Sequence, residues 1–108
     1  MYQLIFFVPE DHAEVVKGAL FAKGAGTYPG YECCSWQVGG EGQFLPLDGS
    51  KPFAGSAGNI ETVEEFRVEM ICRDEILREV LEELVRVHPY EQPAYYAVKI
   101  ETLETLHV

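Results

Sequence analysis

Between Ile76 and Ile100 the apolar spacing changes once, from a helical period to a strand period, and the change falls at His88-Pro89. Ile76, Leu77, Val80, Leu81, Leu84 and Val85 form a stripe at helical spacing, with Arg78, Glu79, Glu82, Glu83 and Arg86 opposite. Proline disfavours helical backbone in the residue before it and has no N–H to donate, so this helix stops at His88. Ala94 to Ile100 then reads as a strand. The connecting segment, His88-Pro-Tyr-Glu-Gln-Pro-Ala-Tyr95, carries an imidazole, two phenols and a carboxylate to one corner of the fold.

The rest of the chain follows the same kind of reading. Residues 2–8 are almost all apolar, which suits a strand central in a sheet. Pro9-Glu10-Asp11 opens a helix, with proline in the first turn and acids at the positive end of the dipole. Val15, Val16, Ala19 and Leu20 supply its apolar stripe, and Gly24 and Gly26 end it. Residues 27–31 make a turn. Glu32 to Val38 is a strand with Cys34, Trp36 and Val38 on one face, interrupted by Gly39-Gly-Glu-Gly42 and followed by a short extended piece at 43–47. Residues 48–60 lack any period and form a long loop, either a reading element or an excursion that packs Phe53 back on the body. Thr62 to Arg73 alternates cleanly, with Phe66, Val68, Met70 and Cys72 on one face and Glu65, Arg67, Glu69 and Ile71 on the other. Asp74 is placed to cap the next helix.

Strand, helix, strand, strand, helix, strand is the order of an α+β ferredoxin-like βαββαβ sandwich, an antiparallel sheet with both helices on one face. A chain of 108 residues forms one such domain, spanning 1–101, with 102–108 as a tail. The uncovered sheet face, expected to show Ile71, Tyr95 and Ala97, calls for cover in an oligomer.

A net charge of −10 excludes nucleic-acid backbones and anionic membranes as partners, since both require clustered Lys and Arg. It permits cations, including metal ions. No apolar run approaches the ~20 residues of a membrane span. Residues 1–8 lack a basic flank and a cleavage site. Three cysteines without a signal peptide predict reduced thiols and a cytoplasmic protein. Cys33 and Cys34, as strand neighbours, face opposite sides of the sheet and chelate poorly. No activating base stands near them in sequence, so neither reads as a nucleophile.

Two constellations remain. His88 and Glu91, with Tyr90 beside them and His12 as a further donor, offer a divalent-metal or ligand site. The same residues also serve simply to end a helix, with His88 complementing the dipole. Gly40 and Gly42 can present backbone amides to an anion, or form a bulge or turn before Phe44. No pair of convergent acid–base groups marks an enzyme.

Three segments together resemble the small domain inserted in many bacterial members of the Nif-three-like dinuclear metal-centre family. They are Phe7-Val-Pro-Glu-Asp-His12 leading into Gly24-Ala-Gly26; Gly40-Glu-Gly-Gln-Phe-Leu-Pro-Leu-Asp-Gly49 followed by Pro52-Phe-Ala-Gly55; and His88-Pro-Tyr-Glu91 with Ala94-Tyr95. The resemblance covers about residues 3–101. It implies a fold like the PII signalling proteins and the CutA divalent-cation tolerance proteins, which are trimers with sheets packed about a three-fold axis. CutA chains carry a similar His-x-Tyr-x-x-Pro segment. The family's two metals are held in the halves that flank the insert, and no His-x-His pair occurs here, so none of those ligands is carried over. Gln92 and Tyr96 stand where acids are frequent in the inserted form. The expectation is a non-catalytic, oligomeric ligand-binding or regulatory module, a trimer by this resemblance, able to meet a protein partner. The alternative is a divalent metal-ion protein like CutA.

Overall fold

The computed structural model describes residues 1–52 and 55–107. The elements are β1 (Tyr2–Pro9), a 3₁₀ turn (Glu10–His12), α1 (Ala13–Ala22), β2 (Trp36–Phe44), β3 (Glu61–Cys72), a second 3₁₀ turn (Asp74–Ile76), α2 (Leu77–Val87) and β4 (Tyr95–Lys99). The strands form one antiparallel sheet in the order β2-β3-β1-β4. This is the expected α+β ferredoxin-like arrangement. Among the described residues no helix is long and apolar enough to cross a membrane.

The core follows from strand parity. Leu4, Phe6 and Val8 of β1 and Val68, Met70 and Cys72 of β3 point to the helix side, where Val16, Leu20, Val80 and Leu84 meet them, all buried. Burial pushes the Cys72 thiol up to about 11, which leaves it a small hydrophobe without thiolate chemistry at neutral pH. On α1 the buried line is Ala13, Val16 and Leu20, while Val15 faces solvent. Asp74 is not the cap: it is the first residue of the second 3₁₀ turn, whose N-cap position is Arg73, and the N-cap position of α2 is Ile76. The Asp74 carboxylate instead pairs with Lys99 at 2.7 Å and with the amino group of Met1, joining β4 and β1 to the turn before α2. The Phe53 packing alternative falls outside the described residues.

Three local expectations are corrected by long-range pairing. First, Gly39 to Gly42 do not interrupt β2; they pair in unbroken register with Phe66 to Val63 and have no left-handed backbone. Second, β2 starts at Trp36, not Glu32. Register would set Cys34 opposite Ile71, but the Ile71 carbonyl already accepts the Gly26 N–H at 2.8 Å, and Cys33 takes a left-handed φ of 58°. The two cysteines are therefore not strand neighbours. Third, Tyr95 and Ala97 lie on the helix side, because they pair with Phe6 and Leu4. Tyr96 and Val98 are the residues of β4 on the open face.

That open face is mixed. Trp36 and Val38 stand exposed at one side, Tyr96 and Val98 at the other. Between them Glu69 accepts hydrogen bonds from Gln3 and Arg67, and the Arg67 guanidinium lies 6.0 Å from the Phe7 ring centroid. β3 pairs with β1 only from Glu65 onward, so its first four residues and the end of β2 project as a two-stranded arm. The molecule measures 51 × 25 × 22 Å.

Candidate functional site

The segment after α2 is locked by His88. The helix gives out because Pro89 follows, and His88 takes extended backbone with φ −68° and ψ 138°. Its buried imidazole then reaches back to β1, where Nε2 lies 2.6 Å from the Phe7 carbonyl oxygen. Nδ1 accepts the Tyr90 N–H at 3.1 Å. A carbonyl can only accept and an N–H can only donate, so the ring is neutral with its proton on Nε2. Burial lowers the pKa of His88, outweighing the hydrogen bond to the Phe7 carbonyl, which raises it; nearby His12 adds a smaller lowering.

Tyr90, held in this way, sends its phenol across to Glu65 of β3, donating to Oε2 at 2.9 Å. Burial first, then the Glu65 carboxylate, raise the pKa of the phenol. Glu91 accepts the Lys51 N–H on both carboxylate oxygens, at 3.1 and 3.2 Å. The corner therefore binds the start of the 48–60 loop. The loop is closed at its root by the Gly58 N–H donating to the Pro46 carbonyl at 2.8 Å.

Between arm and corner lies a cleft of about 280 Å³. Phe7, Phe44, Pro46, Pro52, Val63 and Ala94 give it apolar walls; Glu65, Tyr90, Glu91 and Gln92 give it polar groups. Of the residues singled out from sequence, Tyr90, Glu91 and Gly42 come together here. Gly40 lines a shallower depression of about 120 Å³ that shares Phe7, Gly42 and Glu65 with the cleft. His88 stands behind the cleft as its support. His12 lies at the end of the first 3₁₀ turn with Nδ1 3.1 Å from the Asp11 carboxylate. Both nitrogens of His88 are engaged with backbone, and among the described residues no three His, Cys, Asp or Glu side chains converge to hold a metal.

Glu65 is the residue that sequence reasoning did not pick out. It sits in an alternating run, on the polar face, 25 residues from its phenol partner. One signal was present: Gly42, in an otherwise regular strand. A methyl group there would collide with the Glu65 carboxyl, so the glycine clears the path by which that side chain reaches Tyr90. In Gly42→Ala, the displaced carboxylate leaves the phenol. The stability change stays within about 1 kcal/mol, because the lost hydrogen bond (about 0.5–1.5 kcal/mol) is offset by removing a strand glycine (about 0.5–1 kcal/mol). The Tyr90 ring resonances move. Unchanged Tyr90 resonances in a folded Gly42→Ala protein would show that the clearance is not needed.

No family model matches the chain. It is 44% identical over 91 residues to a protein of Mycobacterium tuberculosis named "GTP cyclohydrolase 1 type 2 homolog", covering 84% of this chain and 24% of that one. Among solved structures it matches a Bacillus cereus protein related to NIF3 with a TM-score of 0.80 and 36% identity, over 94% of this chain and 26% of the other. CutA1 from Pyrococcus horikoshii matches over 95% of this chain and 86% of its own, with a TM-score of 0.69 and 18% identity, a likeness of fold. The chain spans about a quarter of the length of the curated relatives it matches.

Proposed function

The chain is a PII/CutA-like domain of the kind found in Nif3-related proteins, and from that premise we propose that it works as a non-catalytic, self-associating ligand-binding module. The observation that carries this reading is the cleft. It joins an apolar floor at Phe7 to the Tyr90–Glu91 corner, and that corner grips the loop at Lys51. A ligand that engages Glu91 competes with the Lys51 N–H, so occupancy of the cleft is coupled to the conformation of the 48–60 loop. A partner protein contacting that loop would sense the change.

Self-association is supported by the open face. Trp36 is 58% exposed and Tyr96 47%, with Val38 and Val98 beside them. Separated aromatic and aliphatic side chains around a central Gln3–Glu69–Arg67 network suit a surface covered by copies of itself, and a trimer is the assembly we favour.

Native mass spectrometry of protein purified without added ligand tests both parts. A trimer carrying extra mass is the expected result. A bare monomer overturns the self-association. A co-purified metal would instead favour a divalent-cation protein, with His12 beside His88 as the place to look.

A further inference from the structure

Resting on the reading of the cleft as a ligand site, we propose that its ligand is a small organic cation, a protonated amine or guanidinium carried on an apolar body. The argument is one of charge. Two carboxylates, Glu65 and Glu91, line the cleft, and among the described residues its lining contains no Lys, Arg or His. Neither carboxylate is in an ion pair among the described residues. Lys51 meets Glu91 only through its backbone N–H. Tyr90 supplies Glu65 with one hydrogen bond from a neutral donor.

Glu65 is half-buried and shares the cleft lining with Phe7, Phe44 and Val63. A carboxylate in such surroundings has lost water on one side and has gained a single hydrogen bond in exchange. A ligand ammonium or guanidinium restores what is missing through a charge-assisted hydrogen bond. The lining also includes the rings of Phe7, Phe44 and Tyr90, a side-chain type that attracts the same sign of charge. Apolar walls select a body that is more than a bare ion. An anionic ligand meets the opposite conditions. It would approach two carboxylates with no cationic side chain among the described lining residues, so the cleft does not suit a phosphate. The volume, about 280 Å³, stands near the lower end of the ~300–1,000 Å³ usual for small-molecule pockets.

Three matched probes test the sign of charge: phenethylamine, phenethyl alcohol and phenylacetate, titrated into ¹⁵N-labelled protein. The amine is expected to saturate and to move the amides of Gly42, Lys51, Tyr90 and Glu91. Its binding weakens with added salt, and weakens about tenfold in Glu65→Gln, ~1.4 kcal/mol. Glu91→Gln, at an exposed position, gives a smaller loss and serves as the second variant. The alcohol binds wild type and Glu65→Gln alike. If the alcohol or phenylacetate binds the cleft as tightly as the amine, the cationic inference fails while the cleft remains a ligand site. If none of the three moves those amides, the ligand-site reading itself fails.

Discussion

Gly26→Ala lowers the urea midpoint of unfolding with an unchanged denaturant slope, a loss of about 2–4 kcal/mol. Two independent costs add at this position. The backbone is left-handed, with φ +72°, where a Cβ is strained. The space is also occupied: an added methyl would stand 2.6 Å from the Cys34 carbonyl oxygen and 2.9 Å from the Phe21 ring. Neither neighbour can yield cheaply. The Cys34 N–H is tied to the Gly26 carbonyl at 2.9 Å, and the Gly26 N–H to Ile71 at 2.8 Å. Gly26 is therefore the pin that holds the 27–35 excursion against the end of β3 and sets where β2 begins. Gly30→Ala is the control. Its φ is also positive, +85°, but nothing lies within 4 Å of the added methyl, so only the backbone cost applies. Equal losses at the two sites would refute the packing argument.

The second large effect is at His88. His88→Ala leaves the Phe7 carbonyl and the Tyr90 N–H without their partner and opens a small void, at a cost of about 2–4 kcal/mol. The wild-type interaction also depends on pH, with a definite sign. Burial lowers the pKa of His88 in the folded state, so the unfolded chain binds the proton more tightly. The stabilisation is complete above the unfolded value of about 6.5 and is lost as pH falls through that value toward the folded one. The slope from this single proton is at most about 1.4 kcal/mol per pH unit. Protonated Nδ1 would also face the Tyr90 N–H donor to donor, so acid releases Tyr90 from the corner and with it the bond to Glu65. His88→Asn is less stable than wild type at pH 7 and shows a flatter profile between pH 7 and 5. Asp74 acts in a separate window. Hydrogen bonds from Lys99 and the N-terminal amine hold its carboxyl at about 2, so its contribution is present above about pH 4 and fades below. A wild-type profile that is flat from pH 7 to 5 would contradict the neutral, doubly bonded His88.

Both effects act on the same region from opposite sides. Gly26 positions the start of β2, and the arm of which β2 is part forms one wall of the cleft. His88 positions the 88–94 segment, which forms the other. The cleft is thus a product of two supports that do not line it.

Local chemistry was enough to place every strand and helix in order, to stop α2 at His88, and to assign the inward face of β3. Those features depend on spacing within ten or so residues, and apolar periodicity reports them directly. The PII/CutA-like fold was also legible, through the resemblance of three segments to the Nif-three-like insert. The parity of β4 was not. Tyr95, Tyr96, Ala97 and Val98 are all apolar enough for either face, and a one-residue shift in register exchanges them. Only pairing with β1 decides it, setting Tyr95 opposite Phe6. The start of β2 was hidden for a related reason: Gly26, ten residues upstream of Trp36, takes the Ile71 carbonyl that an extended β2 would approach. The Glu65–Tyr90 bond and the cleft around it follow the same rule. Their members are drawn from β1, the β2–β3 arm, the loop and the segment after α2, and no local propensity encodes which carboxylate of an alternating strand meets which phenol. That choice belongs to the register of the sheet and to the clearance left by Gly42.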